Sequence, residues 1–367
     1  MRKYLAILIL SVSITQVSAQ DKSILDSINF YGALQVQLAA FDKGIELQEN
    51  NPQMGMDLFR ELKNGWSVNG KLEFGLHLIN GTNFNNDANS SAEFLANPFK
   101  KKEVFNSRLA YFGIANEKLG SLTFGKQWGV YYDIAGFTDN FSLFGGAANG
   151  VWTGGTDGGW KGTGRADNAV QYRNTIGNFE IAGQAQLFKN TESYGISLQY
   201  HIPMGLTIGA AYNDASIAEP IKIVVDGIGN HTTNFISGIN YKKGKYYGAF
   251  TFSVNDDNIV VQDTGYALSL PSYGYEMSLG YTPIPRLSFQ GGFNYVKARE
   301  SLSLYPDKSV LFQLILGANY YFTPETSIYM IGRLSNTQYE EFSSYVNAFA
   351  FGFRYAFDFG WKKKDGQ

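Results

Sequence analysis

Asn347-Ala-Phe-Ala-Phe-Gly-Phe-Arg-Tyr-Ala-Phe-Asp-Phe359 decides the fold class. Its odd positions, Phe349, Phe351, Phe353, Tyr355, Phe357 and Phe359, are all aromatic. Its even positions, Ala348, Ala350, Gly352, Arg354, Ala356 and Asp358, are small or charged. A period of two belongs to an extended strand with one apolar face. In a water-soluble sandwich that face points to a core of limited thickness, and six aromatics from one strand would overfill it. A lipid-facing wall has no such volume limit, and a membrane-crossing strand needs about 9–11 residues of this kind.

The alternation recurs upstream. Phe30, Leu34, Val36, Leu38 and Ala40 alternate with Tyr31, Ala33, Gln35, Gln37 and Ala39, and Leu72, Phe74, Leu76 and Leu78 with Lys71, Glu73, Gly75 and His77. Leu287, Phe289, Phe293 and Tyr295 repeat the pattern, as does Phe312–Phe322 with interruptions at Ile315 and Tyr321. About sixteen such segments are predicted between 28 and 359, an even number suited to a closed antiparallel barrel without free edges. Tight turns fit Lys63-Asn64-Gly65, Asn116-Glu117-Lys118, Ile176-Gly177-Asn178, Lys243-Gly244-Lys245 and Thr323-Pro324-Glu325. Longer loops fit 42–52, 81–103, 131–165, 214–230, 256–271, 299–308 and 338–344, and this short-long alternation is the sidedness of an outer-membrane barrel.

Composition agrees. Among 367 residues there are 28 Phe, 24 Tyr and 5 Trp, yet only 17% are charged and the mean hydropathy is −0.19. So apolar a chain is not disordered. With no Cys it has neither disulfides nor a thiolate metal site. A net charge of −2 argues against nucleic-acid binding through bulk charge. No window holds 18 consecutive apolar residues, so no transmembrane helix is expected. Arg2-Lys3, the apolar run Leu5–Val12 and the small residues Val17-Ser18-Ala19 have the three-part layout of a secretory signal, placing 1–19 as a signal peptide and 20–367 as one barrel domain.

Segment 131–165 has no period of its own. It interleaves glycines such as Gly145, Gly146, Gly154 and Gly155 with Phe137, Phe141, Phe144, Trp152 and Trp160. A loop this long is functional or unstructured, and aromatic anchors suit one folded into a wide barrel.

Several stretches here resemble the trimeric general diffusion porins of Gram-negative outer membranes. Arg108-Leu-Ala-Tyr-Phe-Gly113 is similar to one family strand. Leu119-Gly-Ser-Leu-Thr-Phe-Gly-Lys126, running on to Tyr131-Tyr-Asp133, is similar to the next strand and its Tyr-Asp. Thr138-Asp139 and Phe144-Gly145-Gly146 resemble the infolded third loop, Arg165, Asn168 and Gln171-Tyr-Arg-Asn174 the return strand, and Phe30-Tyr31-Gly32 the first strand. The resemblance implies a water-filled pore narrowed by the long third loop in the lumen, with loop acids facing wall bases. Carried over by position, the constriction holds Asp139, Asp133, Glu73, Arg108 and Arg173, and strand parity adds Lys71. Parity also turns these wall residues inward, with Arg108 opposite to Leu109 and Tyr111, Arg173 opposite to Val170 and Tyr172, and Lys71 and Glu73 opposite to Leu72 and Phe74. A transverse field in such a throat orients dipolar solutes.

Three positions depart from the pattern. Leu143 stands where the family's loop has Glu, Ser142 where it has Pro, and Asp57 near a wall Arg. The chain also continues past its aromatic strand as Trp361–Gln367. Lys126 has outward parity and, by the resemblance, sits at the subunit contact of a homotrimer, with a loop acid such as Glu93 as partner. The implied surroundings are outer-membrane lipid and lipopolysaccharide, and the implied cargo small hydrophilic solutes and ions, with no cofactor, metal or nucleic acid. Alternatives are a substrate-selective channel and a plugged structural or adhesive barrel. A hydrolase would need His77, His201 or His231 beside a nucleophile, and no Gly-x-Ser-x-Gly elbow or metal-spaced cluster accompanies them, so no enzyme is expected.

Overall fold

In the computed structural model, which describes residues 25–41, 44–79, 104–152, 156–261, 267–299, 309–337 and 346–363, alternation becomes register at the seam where the first strand meets the last. Strand β1 (Ser27–Phe41) runs antiparallel to β18 (Ala348–Lys362), with Phe30 opposite Phe359, Leu34 opposite Tyr355 and Leu38 opposite Phe351. The Phe30 and Phe359 rings stack at 5.6 Å. That pairing closes the sheet.

The remaining strands follow in chain order. They are β2 (Gly44–Glu49), β3 (Gln53–Glu61), β4 (Trp66–Leu76), β5 (Phe105–Asn116), β6 (Gly120–Trp128), β7 (Arg165–Ile176), β8 (Phe179–Leu187) and β9 (Glu192–Ile202). Then come β10 (Leu206–Ser216), β11 (Val225–Asp226), β12 (His231–Lys243), β13 (Tyr246–Val261), β14 (Ala267–Ile284), β15 (Leu287–Ala298), β16 (Ser309–Tyr321) and β17 (Thr326–Thr337). All eighteen segments belong to one sheet. Both β2 and β3 pair with β1, so they are one wall strand interrupted at Asn50-Asn51-Pro52. The two residues of β11 only add in parallel to the start of β14. The wall is therefore a closed barrel of sixteen antiparallel strands.

Exposure follows parity. Phe349, Phe351, Phe353 and Tyr355 lie open on the outer face, while Ala348, Ala350 and Gly352 are buried. Among the described residues, three hydrophobic clusters combine residues of the connection between β6 and β7 with wall residues of the opposite parity from this belt, and a fourth packs Trp160 of that connection on Ile217, Ile221 and Val225 of the connection between β10 and β12. The wall supplies no apolar core of its own.

Four expectations change. The predicted loop 42–52 is mostly strand, because Gly44–Glu49 continues the hairpin with β1. Loop 214–230 contains a short helix, Glu219–Val224, followed by β11. Loop 256–271 is largely the rising ends of β13 and β14, which stay paired beyond a bulge at Asn255/Asn258. Trp361 and Lys362 extend β18 opposite Ile28 and Ser27, so the tail begins as wall. The predicted signal 1–19 and Glu93 lie outside the described residues.

Candidate functional site

Positions 129–164 return from β6 to β7 by a long path fixed to many strands. A short helix, Tyr132–Ala135, seats Ile134 and Phe137 with Ala211, Ile236 and Ala249. The segment then meets Glu276 of β14. Its buried carboxylate accepts bonds from Thr138 Oγ1 (2.7 Å), Asn149 Nδ2 (3.1 Å) and the backbone N–H groups of Ala148 (2.7 Å) and Asn149 (3.0 Å). An acid surrounded by four donors stays satisfied without a cation. Gly274 makes this approach feasible, since a Cβ there would collide with the Ala148 carbonyl.

The turn at Ser142 explains two departures from the family pattern. The Ser142 N–H donates to Gln290 Oε1 (3.0 Å), its hydroxyl to Asn319 Oδ1 (2.8 Å), and its carbonyl accepts from Asn50 Nδ2 (2.9 Å). A proline could not supply that N–H. Leu143 is 1% exposed, packed with Phe144 among Ala39, Ile315, Tyr329, Ile331, Ala348 and Ala350. The position expected to bear an acid in the family is here an apolar anchor. On the return arm, Lys161 pairs with Asp257 (2.9 Å) and Arg165 with Asp157 (2.7 Å), all four buried. Burial pushes the Lys161 ammonium down and Asp257 pulls it back up.

The wall of β3, β4 and β5 carries the expected charges in pairs. Arg108 Nε meets Glu73 Oε1 at 2.7 Å, and Nη1 donates to Asn51 Oδ1 at 2.7 Å. The Tyr31 hydroxyl donates to Glu73 Oε2 at 2.9 Å. Lys71 reaches Asp57 at 3.0 Å and lies over the Tyr31 ring. Arg173 Nη1 donates to both oxygens of Asp133, each at 2.9 Å, and Ser197 Oγ donates to the same carboxylate at 2.6 Å.

A bulge, not simple alternation, turns Arg108 toward Glu73. Leu109 is 4% exposed and Phe112 65%, so Leu109 faces inward and Phe112 outward, and Tyr111 shares the inward parity. Simple alternation would then turn Arg108 outward. A bulge skips Arg108 between the pairs Glu73/Leu109 and Phe74/Ser107, placing two neighbours on one face. Arg108 reaches Glu73 because of that bulge.

Asp139 stands apart. It has no ion pair among the described residues. Its Oδ2 accepts from the Tyr132 hydroxyl (2.8 Å) and from Trp152 Nε1 (3.3 Å). Burial holds its carboxyl above the usual 3.8, while these two donors pull it down. Burial also raises Asp133, against Arg173 and Ser197. Lys126 reaches Asp167 Oδ1 at 3.4 Å and donates to the Ser107 carbonyl at 2.8 Å, both within its own chain.

Comparison with known proteins now bears on this arrangement. The model of the Gram-negative porins matches residues 6–338. The chain belongs to the Gram-negative porin family. That places the barrel in the outer membrane of a Gram-negative bacterium. Outer membrane porin N of Escherichia coli is 26% identical over 256 residues, 61% of this chain and 66% of that protein, so the chain spans just under two thirds of that relative. Two solved structures share the porin fold. One is Salmonella typhi OmpF in complex with daunomycin, at a TM-score of 0.73 and 18% identity, covering 90% of this chain and 97% of that one. The other is in-vitro folded Vibrio cholerae OmpT in a trimer form, at 0.63 and 17%, covering 90% and 99%.

In this porin the sequence missed Glu276, Asp257 and Lys161. One signal for Glu276 existed, a lone acid at inward parity within Tyr273-Gly-Tyr-Glu-Met277. Asn50 and Asn51 had none, because the interruption of a strand by Pro52 looks like the end of one.

Proposed function

We propose that the protein forms a water-filled channel through which small hydrophilic solutes and ions diffuse passively, narrowed between segment 129–164 and the wall of β3–β5. The observation that carries this reading is the one-sided attachment of the segment. Its bonds go to β7–β10 and β13–β16, with one more from Asn50 to the Ser142 carbonyl, while Lys71, Glu73 and Arg108 take partners from their own wall. Asp139, Asp133, Glu73, Lys71, Arg108 and Arg173 line the constriction in this reading.

The throat is charge-compensated. Arg108 with Glu73, Lys71 with Asp57 and Arg173 with Asp133 each cancel locally, and Leu143 removes the second loop acid that the resemblance would supply. The transverse field is accordingly weak, and Asp139 leaves a modest preference for cations. The channel works as a homotrimer, by analogy with the trimer form of OmpT, in a membrane of phospholipid and lipopolysaccharide. Lys126 and Asp167 sit near the outer face, where a subunit contact would meet them.

Planar-bilayer recording tests this. Stepwise openings in groups of three, with a reversal potential slightly toward cations in a salt gradient, are expected. Silence at all voltages would instead mean a plugged barrel.

A further inference from the structure

The outer face is not uniformly studded with large side chains. Where β10 and β12 pair, Ala210 sits opposite Ser237 at outward parity. Leu198 of β9 flanks Ala210, and Phe252 of β13 flanks Ser237. The next outward row toward the short turns is Ile208 and Ile239, closed by Phe250. The result is an apolar depression of about 640 Å³, the size of a small-ligand pocket, on the lipid side of the barrel.

A second feature lies directly along the same strands. Lys242 and Lys243 end β12 and Lys245 follows in the turn, all exposed, with Lys243 at the outward parity of Ile239. None of the three has an ion-pair partner among the described residues, whereas Lys71, Lys126 and Lys161 all do. Arg286 is exposed at the neighbouring turn after β14. Between the cations and the depression stand Tyr241, Tyr246 and Tyr281, outward and exposed, with the last two stacked at 5.2 Å. Tyrosines of this kind mark headgroup depth. From Lys243 to Ile239 is four residues, about 13 Å along a strand. That is the offset between a phosphate at the interface and the upper part of an acyl chain.

We infer that the depression at Ala210 and Ser237, with the lysines of the 242–245 turn, holds one anionic glycerophospholipid of the leaflet on the short-turn side. The lysines take its phosphodiester and the depression takes one acyl chain. Charge complementarity fixes the occupant. A second copy facing it across a two-fold axis would bring the same four cations together and repel them, and the three-fold contact is read on the β6 side, at Lys126.

Native mass spectrometry of the intact detergent-solubilised porin, titrated with phosphatidylglycerol or with phosphatidylcholine of the same acyl chains, tests this. One phosphatidylglycerol per chain is expected at concentrations where phosphatidylcholine is absent. Replacing Lys242, Lys243 and Lys245 by Gln should weaken it roughly tenfold or more. Ala210→Phe, which fills the depression and leaves the lysines intact, should weaken it similarly, and Ser237→Leu gives a second version if the first fails to assemble. Unchanged binding in both filled variants would reduce the site to headgroup adsorption and overturn the proposal. Equal binding of both lipids would make it ordinary annular lipid, displacement by millimolar inorganic phosphate would make it a free-anion site, and loss of oligomers in the filled variants would assign the face to a second copy. Bilayer conductance is unaffected by these variants if the lipid site stands, so failure here and failure of the channel reading are told apart.

Discussion

The belt of β18 and the segment 129–164 are built on opposite rules. Along β18, Phe349, Phe351, Phe353 and Tyr355 each do the same thing, because lipid is a uniform solvent that asks only for apolar surface. Along the described residues of 129–164, side chains have separate partners, from Ile134 on the β10–β13 wall to Leu143 in its socket near the β1–β18 seam. Redundancy makes the belt tolerant and readable. Specific partnership makes the segment intolerant and silent in sequence.

The largest test of that contrast is Glu276→Ala. It strips the acceptor from four buried donors at once, and each orphaned donor costs about 1–3 kcal/mol. The expected outcome is a large fall in thermal stability with noisy, fluctuating conductance as the segment detaches. A quiet channel with wild-type stability would show that the segment is not held there.

Next in size is Arg108→Ala. It leaves Glu73 buried with only the Tyr31 hydroxyl, and breaking a buried pair costs about 3–5 kcal/mol. Conductance should rise and selectivity move toward cations, read as a larger reversal potential. An unchanged reversal potential would place Arg108 away from the permeation path.

How much of this was legible follows the same division. The wall strands could be read, since alternation is local and repeats. Gly44–Glu49 escaped because its pattern is short and broken by Asn50-Asn51-Pro52, whose side chains are recruited by Ser142 and Arg108. Arg108 was turned inward on a parity that the fold reverses, because a bulge adds one residue that no period announces. Parity also says only that Glu276 and Asp257 face inward. It cannot say that one will meet the Ala148 and Asn149 amides and the other Lys161, since those contacts join residues about a hundred or more positions apart. Asp139 was located by resemblance, while its neutral partners Tyr132 and Trp152 emerge only from the fold.

Asp139 gives a smaller effect, on function more than on stability. Asp139→Asn should shift the reversal potential toward anions if the proposed constriction holds, by removing a carboxylate without an ion pair among the described residues. Acidification should do the same to the wild type. Burial raises this carboxyl, so its charge is present well above the folded-state value and is lost as pH falls through it, beginning above the usual 3.8. Asp133 is raised as well but faces Arg173, so Asp139→Asn should flatten most of the pH dependence. A variant that retains the full pH dependence would assign it to Asp133 or to the wall acids.

The smallest effect belongs to the belt, and there the sign of the contrast is most exposed. Phe353 lies on the outer face of β18, opposite Val36 of β1. Phe353→Leu exchanges one lipid-soluble side chain for another and leaves every backbone bond in place, so stability should change by no more than about 0.5 kcal/mol. Phe353→Arg keeps the size and fails the solvent, at about 2–4 kcal/mol if the position lies at mid-membrane. The pair of variants separates chemistry from shape. If Leu proved as costly as Arg, Phe353 would be held by a specific neighbour, and this stretch of the belt would belong with 129–164 as a surface fitted to a partner.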